Sequence, residues 1–143
     1  MNWTLDNAEK QKDKLAIVTG ANIGLGYETT KGLAKKGVEV VMACRNLDKA
    51  NAAKSMILNE ISEAKLTVMA LDLNDLVSVR KFADTFLEKH KRLDFLINNA
   101  GIMVPPYGKT KDGFESQFGV NYLSHFLLTG LLLNTLKATA HSR

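Results

Sequence analysis

Three glycines near the start of the chain have a spacing that could hold a phosphate group. Gly20, Gly24 and Gly26 follow a short apolar run and precede a segment with helical spacing. Because glycine has no Cβ, the backbone can approach phosphate oxygens there, and the first turn of a helix offers free N–H groups and a partial positive charge. This chemistry suits a pyrophosphate, and an ordinary strand-to-helix turn is the alternative. The predicted contacts are Gly20, Asn22, Ile23, Gly24 and Gly26.

The elements that must position this loop are alternating strands and helices. Apolar runs occupy residues 15–19, 38–44, 66–71 and 93–97, and each gap between them is long enough for a helix. Nearly continuous apolar strands indicate that both faces of the sheet are covered. The pattern therefore predicts an α/β fold with a doubly wound parallel sheet, formed by a single domain over residues 1–143.

The last part of the chain is predicted to form a long apolar helix over residues 114–136. A strand order of 3-2-1-4 would supply the first half of a six-stranded dinucleotide-binding sheet and one further strand. We therefore expect a chain truncated after about four strands, with a bare edge on the fourth strand. Apolar side chains of the last helix are expected to be exposed and to favour a homo-oligomer. They are Phe126, Leu127, Leu131 and Leu132.

The glycine spacing and a later segment resemble one protein family. Residues 19–26 read T-G-x-x-x-G-x-G, and residues 98–101 read N-N-A-G. Both patterns are typical of short-chain dehydrogenases/reductases, and the resemblance covers residues 14–143. Residues 43–46 and 119–122 look like the retinol-dehydrogenase-like branch. The resemblance implies a Rossmann-type fold and the N-terminal, NAD(P)-binding portion of an oxidoreductase that transfers hydride between NADP(H) and a carbonyl or alcohol substrate.

The end of the second predicted strand indicates which dinucleotide would bind. An acidic residue there hydrogen-bonds the ribose 2′-hydroxyl of NAD, whereas an arginine accommodates the 2′-phosphate of NADP. Arg45 occupies this place, and a guanidinium can hold a phosphate by two parallel hydrogen bonds. NADP(H) is therefore favoured over NAD(H), and the alternative is that Arg45 is only a surface residue. Asn46 either shares the contact or caps the next helix.

Further cofactor contacts are implied by the resemblance. Asp72 matches the aspartate that hydrogen-bonds the adenine amino group, with a backbone contact from Leu73 beside it. The alternative role of Asp72 is to cap the helix that starts near residue 74. Asn98 is expected to tie neighbouring strands together. The remaining implied contacts are Asn99, Ala100 and Gly101 on the adenine-ribose side and the backbone of Val120.

One residue of the family's catalytic set has a counterpart in this chain. The family uses a serine, a tyrosine and a lysine four residues after the tyrosine, a spacing that places both side chains on one helix face. It adds an asparagine that supports a proton relay to the lysine, and Asn121 occupies that position. The alternative is a buried asparagine bonded to the backbone. Without the other three residues, this chain alone is expected to bind cofactor without turnover.

The spacing Y-x-x-x-K does occur twice, and we interpret both matches as accidental. Tyr27 and Lys31 lie just past the phosphate loop, far from the reacting carbon of the cofactor. Tyr107 and Lys111 lie in a loop with glycine and proline, so no helix aligns them. Ser124 follows Asn121 on the same helix, whereas the family's serine comes from a later strand, so we expect it to serve packing or face solvent.

Composition excludes several other classes. The chain has 143 residues, a net charge of +4 and one cysteine, Cys44, which we expect in the core. The lysines are scattered, so nucleic acid is not the expected partner, although a nucleic-acid-binding half-domain and a non-catalytic NADP(H)-binding or regulatory module are the rival hypotheses. We expect no metal site, no membrane span and a cytoplasmic protein. Trp3 is expected to anchor the N-terminus on the domain surface.

Overall fold

A computed structural model describes residues 4–143, so the expected anchor Trp3 lies outside the described residues. Its sheet contains strands β1 (Leu15–Thr19), β2 (Glu39–Cys44), β3 (Leu66–Ala70) and β4 (Phe95–Ile97). Every pairing is parallel, and the order is β3-β2-β1-β4, which confirms the predicted α/β fold and strand order.

Helices cover both faces of this sheet. They are α1 (Gly24–Lys35), α2 (Leu47–Glu60), α3 (Leu76–Lys89), α4 (Ser116–Phe118) and α5 (Ser124–Ala138), with a 3-10 helix at Leu5–Asn7. Successive residues of a strand point to opposite faces, so Ile17 packs in one core with α3 and α5, and Val18 packs in the other with α1 and α2. The central strands β1 and β2 are therefore buried on both sides, whereas β3 and β4 are partly exposed.

The predicted helix over residues 114–136 is divided in the structure. Helix α4 runs into a π-helical turn at Gly119–Leu123, and α5 continues to Ala138. A side chain on Gly119 would collide with Thr110, so glycine is required where this turn packs. This π turn contains Asn121, a residue that the sequence predicted to be functional.

We expected a bare edge on β4 and exposed apolar side chains on the last helix, and both expectations were wrong in part. The Arg143 N–H donates to the Asp94 carbonyl at 2.8 Å, and the Leu96 N–H donates to the Arg143 carbonyl at 3.0 Å, which is a parallel-strand pairing on the edge of β4. Leu132 is fully buried, and Leu127 and Leu131 pack partly against the core, because α5 lies against α3. Phe126 is exposed as expected.

No helix in the described part of the chain is both long and apolar enough to cross a bilayer.

Candidate functional site

The carboxyl ends of the four strands open into one groove of about 650 Å³. Ligands of open α/β sheets bind at this edge, where the strand order reverses. The groove is lined by predicted contacts from every strand end and from the π turn. They are Gly20, Asn22, Ile23, Arg45, Asn46, Asp72, Leu73, Asn99, Ala100, Gly101 and Val120. Tertiary structure thus gathers residues from five separate segments, while Gly24, Gly26 and Asn121 lie outside this lining.

The glycine turn has the backbone conformations that its spacing suggested. Gly20 has φ of +65° and Gly24 has φ of +57°, in the left-handed region where glycine is favoured. A Cβ on Gly26 would collide with the carbonyl oxygen of Gly20. A Cβ on Gly24 would meet no atom within 4 Å, so this side of the turn is open. The turn is compact where it meets α1 and open at Gly24.

The N-terminus of α1 differs from those of α2 and α3. Asn46 caps α2 by accepting the Lys49 N–H at 2.9 Å, and Asp75 caps α3 by accepting the Val77 and Ser78 N–H groups. Helix α1 begins after Ile23 and has no side-chain cap. Its first N–H groups and their partial positive charge are therefore available to an anion.

The neighbouring polar residues have defined local roles. Asp75, not Asp72, is the cap of α3, and Asp72 instead accepts the Asn74 N–H at 3.0 Å through one carboxylate oxygen. Asn98 reaches Thr129 on α5 at 3.0 Å, so the expectation that it ties strands together was wrong. Asn99 does so, because its side-chain amide donates to the carbonyl of Thr19 on β1 at 2.9 Å.

The cationic end of the groove lies at the end of β2. Arg45 is exposed and forms no side-chain hydrogen bond or ion pair with the described residues, so its guanidinium is free to meet a ligand. Lys49, one helical turn further, also lines the groove. Cys44 beside them is buried, as expected, and burial raises the pKa of its thiol despite the N–H groups of Ala21 and Asn22 that point at the sulfur.

Asn121 lies behind the loop that follows β4. Its side-chain amide donates to the Ile102 carbonyl at 2.8 Å, and its side-chain oxygen accepts the Ile102 N–H at 2.9 Å. A Cβ on Gly101 would lie 3.3 Å from the same oxygen, so glycine allows this close approach. The asparagine thus bonds backbone, as its alternative role required, but that role was wrong about burial, because the residue is exposed.

The accidental Tyr-x-x-x-Lys matches have structural partners elsewhere. Lys31 forms an ion pair with Glu60 on α2, and Lys111 forms one with Asp75 at 2.8 Å. These bonds raise the pKa of each lysine. Tyr107 is exposed. The Ser124 hydroxyl donates to the Leu73 carbonyl at 2.6 Å and is buried, which is the packing role that we expected.

The fold, the uncapped helix and the open glycine turn define a dinucleotide-binding α/β protein. A family model described as short chain dehydrogenase matches residues 14–143, and the chain belongs to that family. Retinol dehydrogenase 12 of Mus musculus is 50% identical over 130 residues, which cover 91% of this chain and 41% of that protein. Retinol dehydrogenase 13 of Homo sapiens is also 50% identical over 130 residues, and the match covers 91% of this chain and 39% of that protein. The chain spans about two fifths of the length of these relatives.

Solved structures show the same fold. A protein from Mycobacterium paratuberculosis superposes with a TM-score of 0.84 at 44% identity, over 94% of this chain and 47% of that chain. A short chain dehydrogenase from Escherichia coli CFT073, solved in complex with NADPH, superposes with a TM-score of 0.79 at 26% identity, over 92% of this chain and 57% of that chain.

Sequence reasoning missed three residues near the groove. Lys49 follows Arg45 by four positions and could have been found from that spacing, since the end of β2 was already identified. Thr19 was treated only as the first letter of a motif, although its hydroxyl accepts the N–H groups of Asn99 and Ala100, both at 2.9 Å. His125 lies in no pattern that indicated a role, and its contact with Thr19 joins residues 106 positions apart.

Proposed function

We propose that this chain is the NADP(H)-binding portion of an oxidoreductase that transfers hydride between NADP(H) and a carbonyl or alcohol. The observation that carries the proposal is the uncapped N-terminus of α1, which opens on the groove beside the left-handed Gly24. Family membership supports the class of reaction, and the similar structure solved with NADPH supports the cofactor.

The groove residues fit the parts of NADP(H). The α1 N-terminus would hold the pyrophosphate, because no side chain among the described residues caps it and Gly24 leaves room beside it. Arg45 and Lys49 would hold the 2′-phosphate as two cations at the end of β2. Asp72 has one carboxylate oxygen not used by Asn74 and would face the adenine amino group. The bound nicotinamide supplies or accepts the hydride.

The loop after β4 supports an apolar substrate. Ile102 and Pro105 line the groove, and Met103, Val104 and Tyr107 of the same loop are each more than 80% exposed. Exposed apolar residues grouped beside a groove favour an apolar ligand over a charged one. The retinol dehydrogenases that resemble this chain are named for an apolar alcohol. We therefore propose apolar alcohols and aldehydes as substrates of the whole protein.

Cofactor binding without turnover is proposed for the 143-residue chain alone. In both Tyr-x-x-x-Lys matches the lysine is ion-paired with a carboxylate, Glu60 or Asp75, instead of facing the groove. The same observation favours a second candidate, a non-catalytic NADP(H)-binding or regulatory module. Reductase turnover by this chain with an aldehyde and NADPH would contradict both the absence of turnover and the second candidate.

The proposed function is tested by titrating the purified chain with NADPH and NADH and following nicotinamide fluorescence. We expect saturable binding of both, with NADPH bound about tenfold more tightly, as a charge-assisted contact to one extra phosphate would produce. Equal affinities would remove the argument from Arg45 and Lys49. Absence of any NADPH binding by a chain that unfolds cooperatively would contradict the proposal as a whole.

Self-association is a further part of the proposal. Phe118, Tyr122 and Phe126 form an exposed aromatic stripe, with ring centroids 5.4 and 6.1 Å apart along the helix. Burial of such a stripe against a second copy would remove apolar surface from water. Sedimentation velocity should show species larger than the 15.8 kDa monomer, and Phe126→Ser should shift them towards monomer. Tyr107→Ser, at a still more exposed loop position, is the control, and a stable monomer of the unmodified chain would contradict self-association.

A further inference from the structure

We propose that His125, as the neutral tautomer with its proton on Nδ1, is a positioning residue that connects Asn121 through Thr19 to the turn at Asn99 and Ala100. This inference extends the proposed function, because the two connected segments flank the groove. His125 itself does not line the groove, so it would act through the residues that it bonds.

The hydrogen-bond partners of the ring determine its tautomer. Nδ1 lies 3.1 Å from the Asn121 carbonyl oxygen, which can only accept, so Nδ1 carries the proton. Nε2 lies 2.9 Å from the hydroxyl oxygen of Thr19. That oxygen already accepts N–H groups from Asn99, which shares its proton with the Ile97 carbonyl at 3.0 Å, and from Ala100, so the hydroxyl's own proton is the donor to Nε2.

The result is a directed chain of hydrogen bonds across the site. The backbone N–H groups of Asn99 and Ala100 donate to the Thr19 hydroxyl, the hydroxyl donates to Nε2 of His125, and Nδ1 donates to the Asn121 carbonyl. A proton on Nε2 would point at an oxygen that already accepts two N–H groups. The Ile97 carbonyl, 3.4 Å from the hydroxyl, is the other acceptor to which the Thr19 proton could turn.

The surroundings favour the neutral ring. His125 is 6% exposed, and burial lowers the pKa of its imidazole more than the bond to the Asn121 carbonyl raises it. Strands β1 and β4 and the π turn contribute no carboxylate, lysine or arginine, and Tyr122 of the π turn is exposed. Lys137 is in the last turn of α5, three helical turns from His125. Within the described residues, no charged partner acts on the ring.

The positions of Asn121 and of the Asn99 turn depend on the same ring. Asn121 holds the Ile102 backbone by two hydrogen bonds, and Ile102 follows Gly101 in the groove lining. Thr19 holds the two residues that precede Gly101. Loss of the imidazole would leave the Thr19 hydroxyl and the Asn121 carbonyl without this shared partner, and both sides of the loop after β4 would loosen.

The direct test is the nitrogen NMR spectrum of the 143-residue chain with labelled histidine. We expect His125 to show a protonated Nδ1 and an unprotonated Nε2, and to keep that signature at a pH below the ordinary histidine pKa of about 6.5. His90 and His141, which are less buried, are internal references. A proton on Nε2 at neutral pH would overturn the proposal.

Variants of Thr19 separate a positioning role from a purely structural one. Thr19→Ser keeps the hydroxyl and should preserve the whole His125 spectrum, whereas Thr19→Val keeps the shape, removes the donor to Nε2 and should shift the Nε2 resonance while the Asn121 carbonyl keeps the proton on Nδ1. An unchanged His125 spectrum in Thr19→Val would overturn the proposal. His125→Phe should weaken NADPH binding about threefold to tenfold, the range of one lost hydrogen bond. Unchanged affinity in a folded His125→Phe chain would also overturn it.

The hydrogen-bond chain through His125 and the proposed binding of NADPH are contradicted by different results. The tautomer of His125 is measured without any cofactor, so an expected spectrum in a chain that does not bind NADPH would contradict the proposed function and leave the hydrogen-bond chain supported. NADPH binding together with a proton on Nε2 would do the reverse.

Discussion

The two ends of the parallel sheet treat charge in opposite ways. At the amino ends of the strands, the Asp94 carboxylate is fully buried and accepts the Leu15 N–H at 2.9 Å, two guanidinium N–H groups of Arg92 and the ammonium of Lys14. At the carboxyl ends, the α1 N-terminus has no cap and Arg45 has no partner among the described residues. The polar groups at the amino ends of the strands are thus paired within the chain, whereas the donors at the carboxyl ends are open to a ligand.

The geometry of a parallel sheet explains this difference. Each strand is followed by a helix whose N-terminus, with its partial positive charge, meets the carboxyl ends of the strands. The amino ends lie on the side of the helix C-termini, whose partial charge is negative, so the buried carboxylate there is balanced by the cationic side chains of Lys14 and Arg92. Substitutions at the two ends should therefore change different measurements, ligand binding at one and stability at the other.

The largest expected effect is that of Gly24→Val on cofactor binding. Gly24 has φ of +57° and an open side towards the position that the pyrophosphate would occupy. A branched side chain would fill this space and prevent the backbone from meeting the phosphates. We expect NADPH binding to fall below detection in a fluorescence titration.

Gly113→Val is the matched control for backbone strain. Gly113 has φ of +86° and, like Gly24, no atom within 4 Å of a Cβ, but it lies outside the groove lining. Both variants should lose a similar amount of stability, on the order of 1 to 2 kcal/mol. If Gly24→Val is folded by circular dichroism and binds NADPH with unchanged affinity, the glycine turn is not the phosphate site.

At the amino ends of the strands, Asp94→Asn should reduce the free energy of unfolding by about 3 kcal/mol, since it removes the buried partner of two cations. Urea denaturation followed by circular dichroism measures the change. Asp84→Asn, at an exposed position of α3, is the control and should have little effect. NADPH affinity should be unchanged in the folded Asp94→Asn chain. A selective loss of affinity would contradict the view that the amino ends serve stability and the carboxyl ends serve binding.

Arg45→Ala should have the opposite profile. The exposed guanidinium forms no bond within the described part of the chain, so its loss should leave the free energy of unfolding unchanged. We expect NADPH binding to weaken about tenfold, or about 1.4 kcal/mol, while NADH binding stays the same. Arg80→Ala on the exposed side of α3 is the control. An undiminished preference for NADPH would mean that Lys49 or another group holds the 2′-phosphate.

Acid should have a smaller effect on stability, through protonation of Asp94 at the amino ends of the strands. Burial alone would raise the pKa of Asp94, but hydrogen bonds from Arg92, the Leu15 N–H and Lys14 outweigh it and lower the pKa below the ordinary value. The stabilisation is therefore fully present above the unfolded pKa of about 3.9 and is lost as the pH falls through the folded pKa. Urea midpoints measured from pH 6 to pH 3 should fall more steeply for the unmodified chain than for Asp94→Asn, and parallel curves would contradict this origin.

Local sequence predicted much of the fold because its signals are carried by neighbouring residues. Residues 15–19 were predicted as a strand with the bounds that the structure has, and residues 38–44 and 66–71 each extend the observed strand by one residue. The fourth strand is shorter than predicted and begins at Phe95. Before it, the Leu93 N–H donates to the Thr139 hydroxyl and the Asp94 carboxylate accepts the Leu15 N–H. The glycine spacing likewise indicated its backbone conformations, because φ is a property of single residues.

The amino-acid sequence by itself determined the alternation of strands and helices and the residues of the glycine turn, because hydrophobic period and glycine conformation are local properties. The strand order was expected only by analogy with the dinucleotide-binding fold. Only the tertiary structure decided the contacts between distant segments. The bond from Thr19 to His125, the burial of Asp94 beside Lys14 and the pairing of Arg143 with β4 join side chains and strands that chain spacing does not relate. Their physical reason is packing, since burial removes water and requires each polar group to find its partner within the protein.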